Sequence, residues 1–136
     1  GRVALFASSQ RAANNRHIVD EAELVEACRA YFAAHHPSLP FLHQRLQDLP
    51  YEEELRLLRR AHVFIALFGS GLHNCRFLPP GALVIELRGA MGGEYSNLQG
   101  YSVLCAFEAR HRWLGFAAEN AAPARVSWHA ERKAYD

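Results

Sequence analysis

Gly69-Ser70-Gly71-Leu72-His73-Asn74 is the stretch whose residue types and spacing come closest to chemistry. The apolar run Val63 to Leu67 leads into it through Phe68 and reads as a buried strand. Glycine at 69 and 71 tolerates positive φ and leaves room for a second backbone or a ligand. Leu72 to Phe77 suits one or two helical turns, stopped by Pro79-Pro80-Gly81. A strand, a glycine turn and a helix start together aim free backbone N–H groups at a single point, where an anion can sit. The same pattern also serves a tight turn that binds nothing, because one G-x-G is a weak signature.

Two arginines fit an anion at that point, and a carboxylate is expected beside them. Arg11 and Arg16 lie in the polar stretch after the apolar run Val3 to Ala7, and Glu86 lies near the end of Ala82 to Leu87. Guanidinium forks match phosphate oxygens, and a carboxylate can accept from both ribose hydroxyls. The set suits a nucleoside diphosphate. Plainer readings stand beside it: Arg16 as a surface arginine, Glu86 as a strand-end carboxylate facing water. Cys75 follows the turn as a candidate reactive thiol, whereas Cys28 and Cys105 fall in apolar helical patterns and read as small core residues. The three cysteines form neither a disulfide framework nor a CxxC pair, and the eight histidines show no metal-binding spacing. His35-His36 follows a helix, where it meets the negative end of the helix dipole.

The elements that must position these residues alternate between strand and helix patterns. Asp20 with Glu23 forms a capping-box pattern for a helix to about Ala34, with Leu24, Val25, Cys28, Tyr31 and Phe32 as its apolar stripe. Pro40 to Leu46 reads as a second strand. Asp48 and Pro50 open a helix over Tyr51 to His62 that turns Leu55, Leu57, Leu58 and Ala61 inward. Glu52 and Arg56 pair on its charged face. Val63–Leu67 and Leu83–Leu87 are further strands. Ser96 or Asn97 caps a helix through Phe107, Trp113 to Ala117 is a last short strand, and residues 120–136 form an extended tail after a domain of residues 1–119.

This alternation predicts an α/β fold, a Rossmann-like parallel sheet with helices on both faces. In such a sheet every strand-to-helix loop emerges at one edge, where ligands bind near a switch in strand order. The Arg11/Arg16 loop, Asp48, the Gly69–Asn74 turn and Glu86 are therefore expected at one edge. With 136 residues and half of them hydrophobic, one domain with a real core is expected. A net charge of +1 gives no electrostatic case for nucleic acid or an anionic membrane. The start at Gly1-Arg2, directly before strand-like sequence, predicts a fragment of a longer protein.

Gly69-Ser70-Gly71-Leu72-His73-Asn74, Phe77, Pro79-Pro80-Gly81 and Val84-Ile85-Glu86-Leu87, in this order, resemble the family 61 glycosyltransferases. That family carries a stretch like H-G-A-G-L-T-N, then F, P-P-G and I-E-L. Upstream, Arg16-His17-Ile18-Val19-Asp20-Glu21-Ala22-Glu23-Leu24 is similar to its R-x-I-x-N-E-x-E-L, and Leu49 to Leu55 to the segment before its third strand. The resemblance covers about Val3 to Phe116. It implies one half of a GT-B architecture, the C-terminal domain that binds the donor of an inverting glycosyltransferase. The other half would supply the acceptor site and the catalytic base, so the isolated fragment would be inactive. The implied donor is a nucleotide sugar, a UDP-sugar, with no metal or other cofactor. Arg16, Gly69, Ser70, Gly71, Leu72, His73, Asn74 and Glu86 would hold it. The implied acceptor is a glycan or protein, the implied partner the missing N-terminal domain or a larger assembly, and the implied location the secretory lumen. Two positions depart from the pattern. Phe68 stands where the family has histidine, with His73 and Arg76 the nearest substitutes, and Asp20 replaces asparagine. The alternative is a degenerate, non-catalytic relative kept as a structural or interaction module.

Overall fold

The computed structural model describes residues 1–9, 18, 20–67, 70–88 and 110–117. Among them, five strands form one sheet: β1 (Val3–Ala7), β2 (Phe41–Gln44), β3 (Ala61–Leu67), β4 (Leu83–Arg88) and β5 (Arg112–Ala117). Their order across the sheet is β2-β1-β3-β4-β5, and every neighbouring pair is parallel. This is the α/β, Rossmann-like sheet expected from the sequence. After β2 the chain passes over β1 to lay down β3, so the direction of winding reverses between β1 and β3. A doubly wound sheet places its ligand crevice at such a reversal, at the C-terminal ends of the two strands.

Helices cover both faces. Helix α1 (Glu21–His35) lies over one face, where Val25 and Phe32 pack with Ala4, Phe6 and Ile65. Helix α2 (Tyr51–Leu58) and a 3-10 helix over Ser70–Phe77 cover the other. There Leu58, Leu72, Cys75 and Leu78 pack with Leu5, Phe64 and Val84. The central strands β1, β3 and β4 are covered on both faces and read as nearly continuous apolar runs, the pattern of a parallel sheet. Pro79-Pro80-Gly81 makes the expected turn into β4, with Gly81 at φ +76°, a conformation that favours glycine.

One irregularity sets the phase of β3. Val3 pairs with Ala61, but Ala4 pairs with Val63, so His62 is an extra residue in the β1–β3 ladder. As a result Ala61, Phe64 and Ala66 point to the α2 face, and Val63 and Ile65 point to the α1 face.

Several local expectations need correction. Asp20 occupies the N-cap of α1, but its side chain makes no capping hydrogen bond. Tyr31 belongs to no core: it is 53% exposed, stacking against His35 with ring centroids 4.6 Å apart. Helix α2 ends at Leu58 and not at His62. Ala61 already belongs to β3, because the Val3 N–H bonds the Arg60 carbonyl at 2.9 Å and draws this backbone into the sheet. The second strand is Phe41–Gln44, followed by a 3-10 turn over Leu46–Asp48. The Glu52–Arg56 pair forms as expected, at 3.5 Å on an exposed face. The expected 96–107 helix and the 120–136 tail lie outside the described residues, as does Cys105.

Candidate functional site

The C-terminal edge of the sheet gathers the loops that follow β1, β2 and β3. Ala7 is the last residue of β1 and pairs with Gln44, the last of β2. Leu67 ends β3 and pairs with Leu87 near the end of β4. The end of β3 therefore lies beside the winding reversal, next to the end of β1. Arg16, Phe68 and Gly69 lie outside the described residues.

Of the other predicted site residues, Ser70 and Gly71 open the 3-10 helix, and Leu72, His73 and Asn74 follow within it. Leu72 is buried in the core on the α2 face, which fixes this helix against the sheet. Asn74 Nδ2 donates to Glu54 Oε1 of α2 at 3.4 Å. Arg76 lies in the last turn and is exposed. Glu86 is fully buried and does not face water, which corrects that simpler reading. Its Oε2 accepts from the Trp113 indole N–H at 2.9 Å, tying β4 to β5. Asp48 sits after β2 at the same edge and pairs with Arg45 at 3.3 Å. Cys75 is completely buried, so it is a core residue and not an accessible nucleophile. Among the described residues no cluster of histidine, cysteine and carboxylate side chains could hold a metal ion.

A second group at this edge was not expected. Glu21, in the first turn of α1, is only 1% exposed, yet it carries a carboxylate. Ser8 Oγ donates to its Oε2 at 2.7 Å, and the Ser9 N–H and Oγ–H donate to its Oε1 at 2.7 and 2.6 Å. His43 Nε2 of β2 donates to Oε2 at 3.1 Å, with the ring set edge-on against Phe6. Ser9 Oγ in turn accepts from the Ile18 N–H at 2.9 Å. The sequence carries a signal for the burial of Glu21, though none for its partners. Glu21 stands at i, i+4, i+7, i+11 with Val25, Cys28 and Phe32, in the middle of the buried stripe.

Burial works to raise the Glu21 carboxyl, but the Ser9, Ser8 and His43 hydrogen bonds outweigh it and hold the group below its ordinary 4.5. A depressed folded value means the carboxylate stabilises the fold fully above about pH 4.5, and that this contribution is lost as pH falls through the folded value. Urea unfolding of wild type and Glu21→Gln should therefore differ most near neutral pH, and the two curves should converge on acidification. A gap that widens toward acid would show that the carboxylate is not held ionised.

The family model for glycosyltransferase 61 matches residues 3–85, more than half of the chain and the whole run from β1 into β4. The chain belongs to glycosyltransferase family 61. It is 31% identical over 121 residues to the protein O-linked-mannose β-1,4-N-acetylglucosaminyltransferase 2 of Xenopus laevis, an alignment covering 87% of this chain and 19% of that protein. It is 30% identical over 86 residues to the EGF domain-specific O-linked N-acetylglucosamine transferase of Gallus gallus, covering 63% of this chain and 15% of that protein. The chain thus spans less than a fifth of the length of these curated relatives. No helix among the described residues of this family 61 chain is long and apolar enough to cross a membrane.

Proposed function

We propose that this chain is the donor-binding domain of an inverting glycosyltransferase, one half of a GT-B enzyme that takes a UDP-sugar. The observation that supports this reading is the winding reversal of a family 61 sheet at β3, the strand that the 3-10 helix Ser70–Phe77 follows. Backbone N–H groups from Gly69 to Leu72 hold the diphosphate, with His73 and Asn74 on the following turn and Arg16 supplying positive charge. Glu86 meets the ribose once its side chain turns from Trp113. An acceptor hydroxyl attacks the anomeric carbon, the bond from that carbon to the diphosphate oxygen breaks, and the N–H groups and Arg16 stabilise the charge that collects on the leaving diphosphate. A site of this kind needs no metal.

Residues 1–119 form this domain, and 120–136 continue beyond it. The domain facing it across the cleft supplies the acceptor site and the base. Both named relatives transfer N-acetylglucosamine to protein-linked acceptors, which supports a protein or glycan acceptor and a secretory lumen location. Calorimetric titration of the full-length protein with UDP and UDP-N-acetylglucosamine tests the proposal. Binding at millimolar affinity or tighter is expected, with Arg16→Ala weakening it at least tenfold, the equivalent of about 1.4 kcal/mol. Absence of heat from a folded protein would overturn the donor-binding reading in favour of a non-catalytic module.

A further inference from the structure

The proposed donor site contains a buried polar centre that touches none of the donor-binding residues. Glu21 joins three elements through four hydrogen bonds: the end of β1 through Ser8 and Ser9, the start of α1, and β2 through His43. Through Ser9 it also reaches Ile18, because the Ser9 hydroxyl gives its proton to Glu21 and takes one from the Ile18 N–H. The chain therefore leaves the sheet at Ser9 and returns to the same point at Ile18. The connection between them, residues 10–17, carries Arg11 and Arg16 in its sequence.

We propose that Glu21 is a positioning residue for the donor site: its carboxylate clamps both ends of the β1–α1 connection at the winding reversal. This rests on the donor-binding reading above. A fully solvated cap would not need such a construction. Capping of the helix is ruled out as the purpose, because the carboxylate reaches back across α1 to β1 and β2 and not to the N–H groups of its own first turn. Packing alone is also a poor account, since an apolar residue would fill this place without the cost of burying a charge. An ionised acceptor with two oxygens is what lets one side chain collect three separate elements. Glutamine at this position presents one oxygen and one NH₂ group. Its NH₂ cannot accept from the serine hydroxyl or the ring N–H that the second oxygen serves.

Glu21→Gln and Ser9→Ala, made separately in the full-length protein, test the clamp by two readings. The first is amide hydrogen exchange over residues 10–18, measured without ligand. Both variants should exchange faster there, with α2 and β3 unchanged. The second is calorimetry with UDP as the probe. Kd should rise about tenfold while the number of sites per mole of total protein stays at the wild-type value. A purely structural role would instead lower the folded fraction, and hence the number of sites, at unchanged Kd. That result, or unaltered exchange, overturns the clamp while leaving the donor reading intact. Failure of wild type to bind UDP overturns the donor reading and the clamp's role in it together. Ser9→Ala keeps the test open if Glu21→Gln does not fold, because it removes the link to Ile18 but leaves Ser8 and His43 on the carboxylate.

Discussion

Phe68→His in the full-length protein is expected to raise the rate of sugar transfer about 10²- to 10³-fold, equivalent to roughly 3–4 kcal/mol of transition-state stabilisation. Position 68 directly follows Leu67, the last residue of β3, at the entrance to the glycine turn. In the reaction proposed above, charge develops on the leaving diphosphate as its bond to the sugar breaks, and a hydrogen-bond donor preorganised beside it lowers the barrier. A phenyl ring can neither donate a hydrogen bond nor carry charge, whereas the imidazole usual in this family can do both. The effect belongs to kcat more than to donor affinity, because the charge is larger in the transition state than in the bound donor. Initial rates at saturating donor check this, with UDP affinity measured alongside. Equal rates in the two proteins with UDP bound by both would show that another group, such as His73, already serves the leaving group.

The second large effect concerns stability. Phe64→Ala should destabilise the fold by about 3–5 kcal/mol, as transfer and cavity costs add. Phe64 is fully buried in the middle of β3, paired in register with Leu5 and Val84 on either side, under Leu58 and Leu72. A domain of this size has roughly 5–15 kcal/mol of stability in all, so about a fifth or more of it rests on this ring. Denaturant midpoints of wild type and variant measure the loss. A change below about 1 kcal/mol would mean that the core collapses into the space, contrary to the close packing around β1, β3 and β4.

The sheet was legible in the sequence because a parallel strand buried on both faces leaves an uninterrupted apolar run. Val3–Ala7 and Val63–Leu67 announce themselves this way. The helices were legible by existence more than by extent. Arg59-Arg60 carries no stop signal, so the pattern of α2 ran on into residues that the ladder with Val3 claims for β3. Tyr31 was placed inside because it is in phase with Leu24, but both stand at the margin of the stripe centred on Val25 and Phe32. The glycine turn was legible through its composition. The Glu21 centre was not, because a charged residue in a first helical turn has an ordinary explanation in the helix dipole, and because its partners Ser8, Ser9 and His43 are distant in sequence and join only when β1 and β2 pair.

The extra residue at His62 has a bearing on how this chain can change in length. Loops between the elements can gain or lose residues with no effect on which side chains face which helix. Within β3 the bulge already absorbs one residue: with His62 removed, Ala61 and Val63 would follow one another opposite Val3 and Ala4 in an unbroken ladder. Every later side chain would keep its face, Phe64 and Ala66 toward α2 and Val63 and Ile65 toward α1, whereas a residue lost beyond the bulge would send those after it to the other side. At its N-terminal end β3 thus carries a position where its length can change without moving the strand's far end relative to Ser8 and Ser9.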